Sequence, residues 1–504
     1  MLHTYVKKIL KARVYDVAIE TPVDEMPALS ERFGNRILLK REDLQPVFSF
    51  KLRGAYNKIS QLSEEQLKRG VITASAGNHA QGVALTGKKL GIQPIIVMPR
   101  TTPPIKVNSV KARGGKVVLH GDTFDEASAH SKKLAKEKNM VYVHPFDDPD
   151  VIAGQGTVGM EILRQVNGPL DAVFVPVGGG GLLAGIAAYI RYVRPDVKII
   201  GVESEESACM KWALEKNRRI TLPEVGIFAD GVAVAQAGKE TFKVIRECVD
   251  EIVTVSTDEI CAAIKDIFND TRSIAEPAGA LSTAGLKKYV EREGIKDQTL
   301  ISIDSGANVN FDRLRHIAER AELGEKGEAI LAVTIPEKPG SFKQFCAALG
   351  KRNITEFNYR YADDNDAHVF VGVQLREGDA ERREIIDGLI AQEYPVVDMT
   401  DNEMAKLHVR HLMGGHAPAT NNEIIFRFEF PERPGALMKF LQTLGQRWNI
   451  SLFHYRNHGA AYGRVMVGFQ VDAKEKKLAH EFFEKIGYPY KEETDNPAYQ
   501  TFLG

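Results

Sequence analysis

Four short stretches hold residue types that could do chemistry. In Ser49-Phe50-Lys51-Leu52-Arg53-Gly54-Ala55 a lysine stands where a loop turns into an amphipathic helix, between Phe50 and Leu52. Desolvation and the positive end of the helix dipole both lower an amine pKa there, which suits Lys51 to Schiff-base chemistry and proton transfer. In Ser75-Ala76-Gly77-Asn78-His79-Ala80-Gln81-Gly82 an apolar run ends in a loop that opens a helix, and the free amides of such a start suit a carboxylate. Pro176-Val177-Gly178-Gly179-Gly180-Gly181-Leu182 repeats the arrangement with glycines that let the backbone approach a phosphate closely. In Ile301-Ser302-Ile303-Asp304-Ser305-Gly306-Ala307-Asn308 a strand runs into a glycine turn, placing a hydroxyl or carboxylate where it could meet a ring nitrogen.

The glycine loop admits a second reading. No Lys-Ser/Thr follows it, so it is not a P-loop. Gly179 to Ala184 fits the permissive G-x-G-x-x-A form, however, and Glu203 falls where a ribose-binding acid would, so a nicotinamide-dependent dehydrogenase is a rival. That rival leaves Lys51 and the Asn78 loop without roles. Charge excludes other classes: 66 Lys and Arg against 67 Asp and Glu provide no basic excess for nucleic acid or an acidic membrane. The four cysteines, Cys209, Cys248, Cys261 and Cys346, form no CxxC pair, so neither a disulfide framework nor a metal site is expected, and a reducing cytoplasm suits them. No export signal is visible, and the uncharged run Ala172 to Ile190 is broken by Pro176 and the glycines, which argues against a membrane span.

The elements that must position these stretches follow from periodicity. From Arg36 to about Val309 short β-rich runs alternate with helical patterns, which predicts an α/β fold of three layers built on mostly parallel sheets. Leu52, Ala55, Tyr56, Ile59 and Leu62 recur at helical spacing, with Ser49 as the expected N-cap. After a charged helix, Gly324-Glu325-Lys326-Gly327 has linker composition. Beyond it the chain repeats: Pro336-Glu337-Lys338-Pro339-Gly340 returns 95 residues on as Pro431-Glu432-Arg433-Pro434-Gly435, and Asn353-Ile354 returns 96 residues on as Asn449-Ile450. Each copy reads strand, helix, strand, strand, helix, strand, the order of a ferredoxin-like α+β module. The expected organisation is a catalytic domain at 1–320, a linker at 321–328, a module at 329–400, a connector at 401–422 and a second module at 423–504. Neither module holds a cluster of catalytic or metal-binding type, so a binding or regulatory role is expected of them.

Taken together, Ser49-Phe50-Lys51, the Ser-Ala-Gly-Asn-His loop, the tetraglycine loop and Ser305-Gly306-Ala307-Asn308 resemble the β-family (fold type II) pyridoxal-phosphate enzymes. The tandem modules, similar to ACT domains, direct the resemblance to the biosynthetic threonine ammonia-lyase family over essentially the full length. The resemblance implies that Lys51 carries pyridoxal 5'-phosphate covalently and moves the substrate proton. It implies that Asn78 meets the cofactor's phenolic oxygen, that Phe50 packs on its ring, and that Gly178, Gly179, Gly180, Gly181 and Leu182 hold its phosphate. It also implies that Ser75, Ala76, Gly77, Asn78 and His79 cradle the substrate carboxylate and that Ser305 meets the pyridine nitrogen. Neighbours on a strand face opposite sides, so Asp304 and Ser305 cannot both point inward; a serine there leaves the ring a weaker electron sink and favours elimination. The implied reaction turns L-threonine into 2-oxobutanoate and ammonia, the committed step of isoleucine biosynthesis, with isoleucine inhibiting, valine relieving, and Tyr359 and Tyr455 lining the effector sites. A cytoplasmic homotetramer without metal is the expected form. Serine dehydration or racemisation on the same cofactor competes with this reading, since one methyl group is worth only about 1 to 3 kcal/mol of discrimination. An amino-acid sensor without catalysis competes more distantly.

Overall fold

The computed structural model describes residues 1–503 apart from 337–340, 351, 353, 362–365, 412–421, 432–435, 437–438, 441–442, 444–447 and 457–461. The chain forms two compact units, Met1–Ala321 and Glu322–Gly504. Among the described residues no helix is long and apolar enough to cross a membrane.

In the first unit the parallel strands divide between two sheets. The larger has six strands in the order Val23–Glu25, Arg36–Arg41, Thr299–Asp304, Ala172–Pro176, Lys198–Ser204, Glu251–Val255. All of its pairs are parallel except the first. The smaller has four parallel strands in the order Lys116–Leu119, Ile95–Met98, Val71–Ala74, Val141–Tyr142. Strands such as Ala172–Pro176 are buried at every residue, as expected where helices cover both faces. The motif loops all leave carboxyl ends of strands: Ser75 follows Val71–Ala74, Val177 follows Ala172–Pro176 and Ser305 follows Thr299–Asp304. Crevices at those ends are where open α/β sheets bind ligands.

The helix bearing the lysine runs Lys51–Ile59. Ser49 does not cap it. Phe50 occupies the cap position, and Ser49 instead forms an isolated antiparallel bridge with Gly306, tying the helix start to the turn after Thr299–Asp304. The helix presses against Pro149–Gln165 so closely that a Cβ on Gly154 would lie 2.6 Å from the Arg53 carbonyl oxygen. Arg53 then locks it by charge, pairing with Glu42 at 2.7 Å and Glu161 at 2.5 Å, while Lys40 reaches Glu161 at 2.7 Å; all four side chains are fully buried. Two positive and two negative groups cancel, which is the condition for burying charge at all.

The second unit holds two four-stranded antiparallel sheets. Their orders correspond: Ile354–Tyr361, Asp366–Gln374, Glu328–Pro336, Val396–Asp398 in one, and Asn449–Arg456, Tyr462–Gln470, Glu423–Pro431, Tyr490–Glu492 in the other. With helices Ser341–Ala348 and Asp379–Ile390 in the first copy, this is the ferredoxin-like arrangement. The repeat extends to irregularities, since the pairing register shifts between Ile354 and Glu356 and again between Ile450 and Leu452. Beneath the sheets the first module packs Leu331, Val333, Phe345, Val369 and Leu389, and the second packs Phe426, Phe428, Phe440, Phe469 and Phe483.

Candidate active site

A cleft in the first unit is lined by Phe50, Lys51, Asn78, Gly178 to Leu182, Gly231, Glu276 and Ser305, among others. Three separate strand ends and the lysine helix thus converge on one cleft.

Lys51 extends its Nζ to the Pro145 carbonyl at 3.4 Å and lies 5.1 Å from the centre of the Phe50 ring. Burial pushes its ammonium down to about 8, against the opposing pull of Glu276. Across the cleft, Asn78 begins helix Asn78–Leu90, donates to Glu276 Oε1 at 2.5 Å, and accepts from Asn308 Nδ2 at 2.8 Å. The rest of its loop is engaged elsewhere. The Ser75 hydroxyl accepts from the Gly77 and Ala80 amides, and the His79 ring is buried against the Val143 carbonyl at 3.3 Å. Burial, then the charge of Lys51, drives His79 down to about 3, so it stands neutral. From Ser75, Ala76, Gly77, Asn78 and His79, Asn78 is the residue that lines the cleft.

The glycine loop has no room for side chains: a Cβ on Gly179 would sit 2.3 Å from the ring of Phe146, which also lines the cleft. Gly180 has φ of +93°, which excludes side chains on conformational grounds as well. Helix Gly181–Val193 starts there, and its first bond runs from the Ala184 amide to the Gly180 carbonyl, so the preceding amides have no partner within the helix.

Ser305 reaches the cleft wall, where its hydroxyl donates to the Ala278 carbonyl at 3.2 Å. Asp304 points the other way, fully buried, with one oxygen accepting from the Gly306 amide at 3.2 Å. Burial and then Asp43 hold its carboxyl well above the usual range, with Arg41 opposing. The supposed ribose acid is also accounted for: Glu203 is buried and accepts from the Met210 and Lys211 amides at 2.8 Å, fastening the start of helix Cys209–Glu215. Burial pushes it up to about 8, an unsuitable state for a ribose acceptor.

Glu276 escaped the sequence reading. It lies buried in the cleft wall at the start of helix Pro277–Glu293, and burial followed by the charge of Asp230 pushes it up to about 7. Its signal was Pro277, since a proline at the first helical position marks the residue before it as a cap. Tyr359 and Tyr455 occupy matching places on their strands, opposite Val369 and Val465, but their side chains lie outside the described residues.

A lysine of lowered pKa, a phosphate-type glycine loop, and an amide and a hydroxyl on the facing walls together define an enzyme of the pyridoxal-phosphate class with fold type II. Residues 14–306 match the family described as pyridoxal-phosphate dependent enzyme, and 319–409 and 414–503 each match the C-terminal regulatory domain of threonine dehydratase. The chain is 55% identical over 504 residues to the biosynthetic L-threonine dehydratase IlvA of Burkholderia multivorans, covering 99% of both chains. It is 54% identical over 499 residues to that of Escherichia coli, covering 99% of this chain and 97% of the relative. A solved structure of the processed form of threonine deaminase isoform 2 from Solanum lycopersicum aligns with TM-score 0.62 and 51% identity, over 64% of this chain and 93% of that one. The chain therefore belongs to the pyridoxal-phosphate dependent enzyme family, in its threonine dehydratase branch. The dehydrogenase reading is set aside. The residues present fit the cofactor in their chemistry: an amine for its aldehyde, helix-start amides without partners in the helix for its phosphate, and an amide and a hydroxyl on the facing walls.

Proposed function

We propose that this protein deaminates L-threonine to 2-oxobutanoate and ammonia, with pyridoxal phosphate held by Lys51, Asn78, Gly178 to Leu182 and Ser305 and flanked by Phe50. The observation that carries the reading is the convergence of these residues on one cleft around a half-buried lysine whose pKa is about 8. When bound, pyridoxal phosphate supplies an aldehyde for the substrate amine and a conjugated ring that draws charge from Cα. The chain does the rest. At pH 7 a lysine with that pKa is neutral in about one molecule in ten, hundreds of times more often than an ordinary lysine, so Lys51 Nζ can take the Cα proton. Helix-start amides of the glycine loop balance the phosphate charge, and those of the Ser75 to His79 turn orient the substrate carboxylate. The Ser305 hydroxyl, which must exchange its bond to Ala278 to donate to a ring nitrogen, carries no charge to hold that nitrogen protonated. Loss of the Cα proton and the β-hydroxyl releases water and an enamine, which takes up water to yield the keto acid and ammonia.

Lys51→Ala removes the proton acceptor and the attachment point together. Turnover should fall to background, and hydride reduction should no longer fix cofactor to the chain; retained activity would exclude the assignment. Residues 1–320 serve as the catalytic domain, 321–328 as linker, and the modules at 329–400 and 423–504, joined by 401–422, as the effector-binding part. Isoleucine inhibits and valine relieves through Tyr359 and Tyr455, in a cytoplasmic homotetramer. The support is the repeated match to a regulatory domain and the equivalent register of the two tyrosines. Replacing both tyrosines by alanine should abolish the isoleucine response at saturating threonine, and an unchanged response would remove them from the effector sites.

A further inference from the structure

We infer that Glu276, acting with Asn308, is a positioning residue that fixes which N–H of the Asn78 amide faces the cleft. The inference rests on the proposal that Asn78 meets the cofactor's phenolic oxygen. Glu276 precedes helix Pro277–Glu293, yet its side chain makes no capping bond. It is turned into the cleft wall, 4% exposed, where its Oε1 accepts from Asn78 Nδ2. The other end of the same amide is held as firmly. Asn308 Nδ2 donates to the Val47 carbonyl and to Asn78 Oδ1, both at 2.8 Å, and a carbonyl can only accept. The Val47 carbonyl thus fixes the Asn308 amide, whose nitrogen donates to Asn78, and the Asn78 nitrogen donates in turn to Glu276. An amide nitrogen has two hydrogens; Glu276 takes one, and the second is left to face a ligand.

The lock depends on Glu276 accepting. Burial and then Asp230 raise its pKa and Lys106 opposes, while the Asn78 side chain and the Asn308 backbone amide stabilise the ionised form. Lys51 and Asp304 also act electrostatically on it. A Glu276 oxygen accepts in either protonation state, and with Asn308 Nδ2 held by the Val47 carbonyl the Asn78 amide cannot turn over without setting nitrogen against nitrogen at Asn308.

The test uses full-length holoenzyme and two readouts apart from turnover: the visible absorbance band of the bound cofactor and the dissociation constant for pyridoxal phosphate. Glu276→Ala and Asn308→Ala should each move the band in the same direction as Asn78→Ala and weaken cofactor binding about tenfold, the scale of a lost hydrogen bond to a charged group. Glu276→Gln, which still accepts through its carbonyl, should restore the band, and Glu276→Ala should add nothing in an Asn78→Ala background. A parental band in Glu276→Ala, or a full further shift in the double variant, overturns the inference while leaving the Asn78 assignment intact. A parental band and affinity in Asn78→Ala overturns the assignment itself. If Glu276→Ala does not fold, Asn308→Ala decides, and an unmoved band there counts against the lock.

Discussion

The helix carrying Lys51 is held by ions, whereas the second regulatory module is held by rings. Arg53, Lys40, Glu42 and Glu161 make directional bonds of 2.5–2.7 Å in complete burial. Phe426, by contrast, packs Phe483 at 4.7 Å between centroids in an edge-on arrangement, within a cluster of phenylalanines. Each kind of packing suits what its region must specify. A catalytic amine has to arrive at one point, and charge pairs that lose much when misaligned enforce that position. A sheet that presents a binding face needs volume filled, and several residue sets can do so. The first module demonstrates this, because Leu331 stands at the repeat position of Phe426, both fully buried, under the same strand order.

Substitutions can break this comparison at its strongest point first. Arg53→Met leaves Glu42 and Glu161 facing Lys40 alone, and one uncompensated buried charge costs about 3–5 kcal/mol. Denaturation of Met1–Ala321, followed by cofactor absorbance, should show that loss together with weaker cofactor retention; a change within about 1 kcal/mol would mean that the ion cluster does not hold the lysine helix. Phe426→Ala should cost about 3–5 kcal/mol and Leu331→Ala about 2–5, each confined to Glu322–Gly504, with threonine turnover close to parental when isoleucine is absent. Turnover lost in step with folding of the second unit would contradict the separation of roles.

The smallest effect concerns pH. Glu276 has its folded pKa raised to about 7 from an ordinary 4.5. For a carboxyl shifted upward, the neutral form is the one that suits the folded state. Its stability contribution is complete below the ordinary pKa and is lost as pH rises through 7, on the order of 3 kcal/mol in all. Melting temperatures of parent and Glu276→Gln between about pH 5 and 8.5 should converge at the acid end and separate toward the alkaline end, with the variant higher. Parallel curves would place the carboxyl outside the titration.

Much of this arrangement was legible because it is local. Lys51, the glycine loop and Ser305 each sit where an apolar run meets a glycine or a helix start, and those signals need no tertiary knowledge. Which strands share a sheet was not legible: Val71–Ala74 and Ala172–Pro176 are equally apolar, and nothing in their residues says which strand each will pair with. Ser49 misled for a related reason, since a serine before a helical pattern was read as its cap while the fold paired it with Gly306, and Glu203, which supported only the rival dinucleotide reading, binds the start of another helix. Glu276 was missed because an acid before a helix reads as an exposed cap, and only packing turns it inward.

The central claim is that this cleft holds pyridoxal phosphate on Lys51 and eliminates water from threonine. An absorbance spectrum of the purified protein before and after addition of L-threonine, with 2-oxobutanoate assayed in the same cuvette, tests it most directly. A visible band that shifts with threonine as the keto acid accumulates is the predicted result. A protein that stays colourless and inert after incubation with pyridoxal phosphate would contradict it.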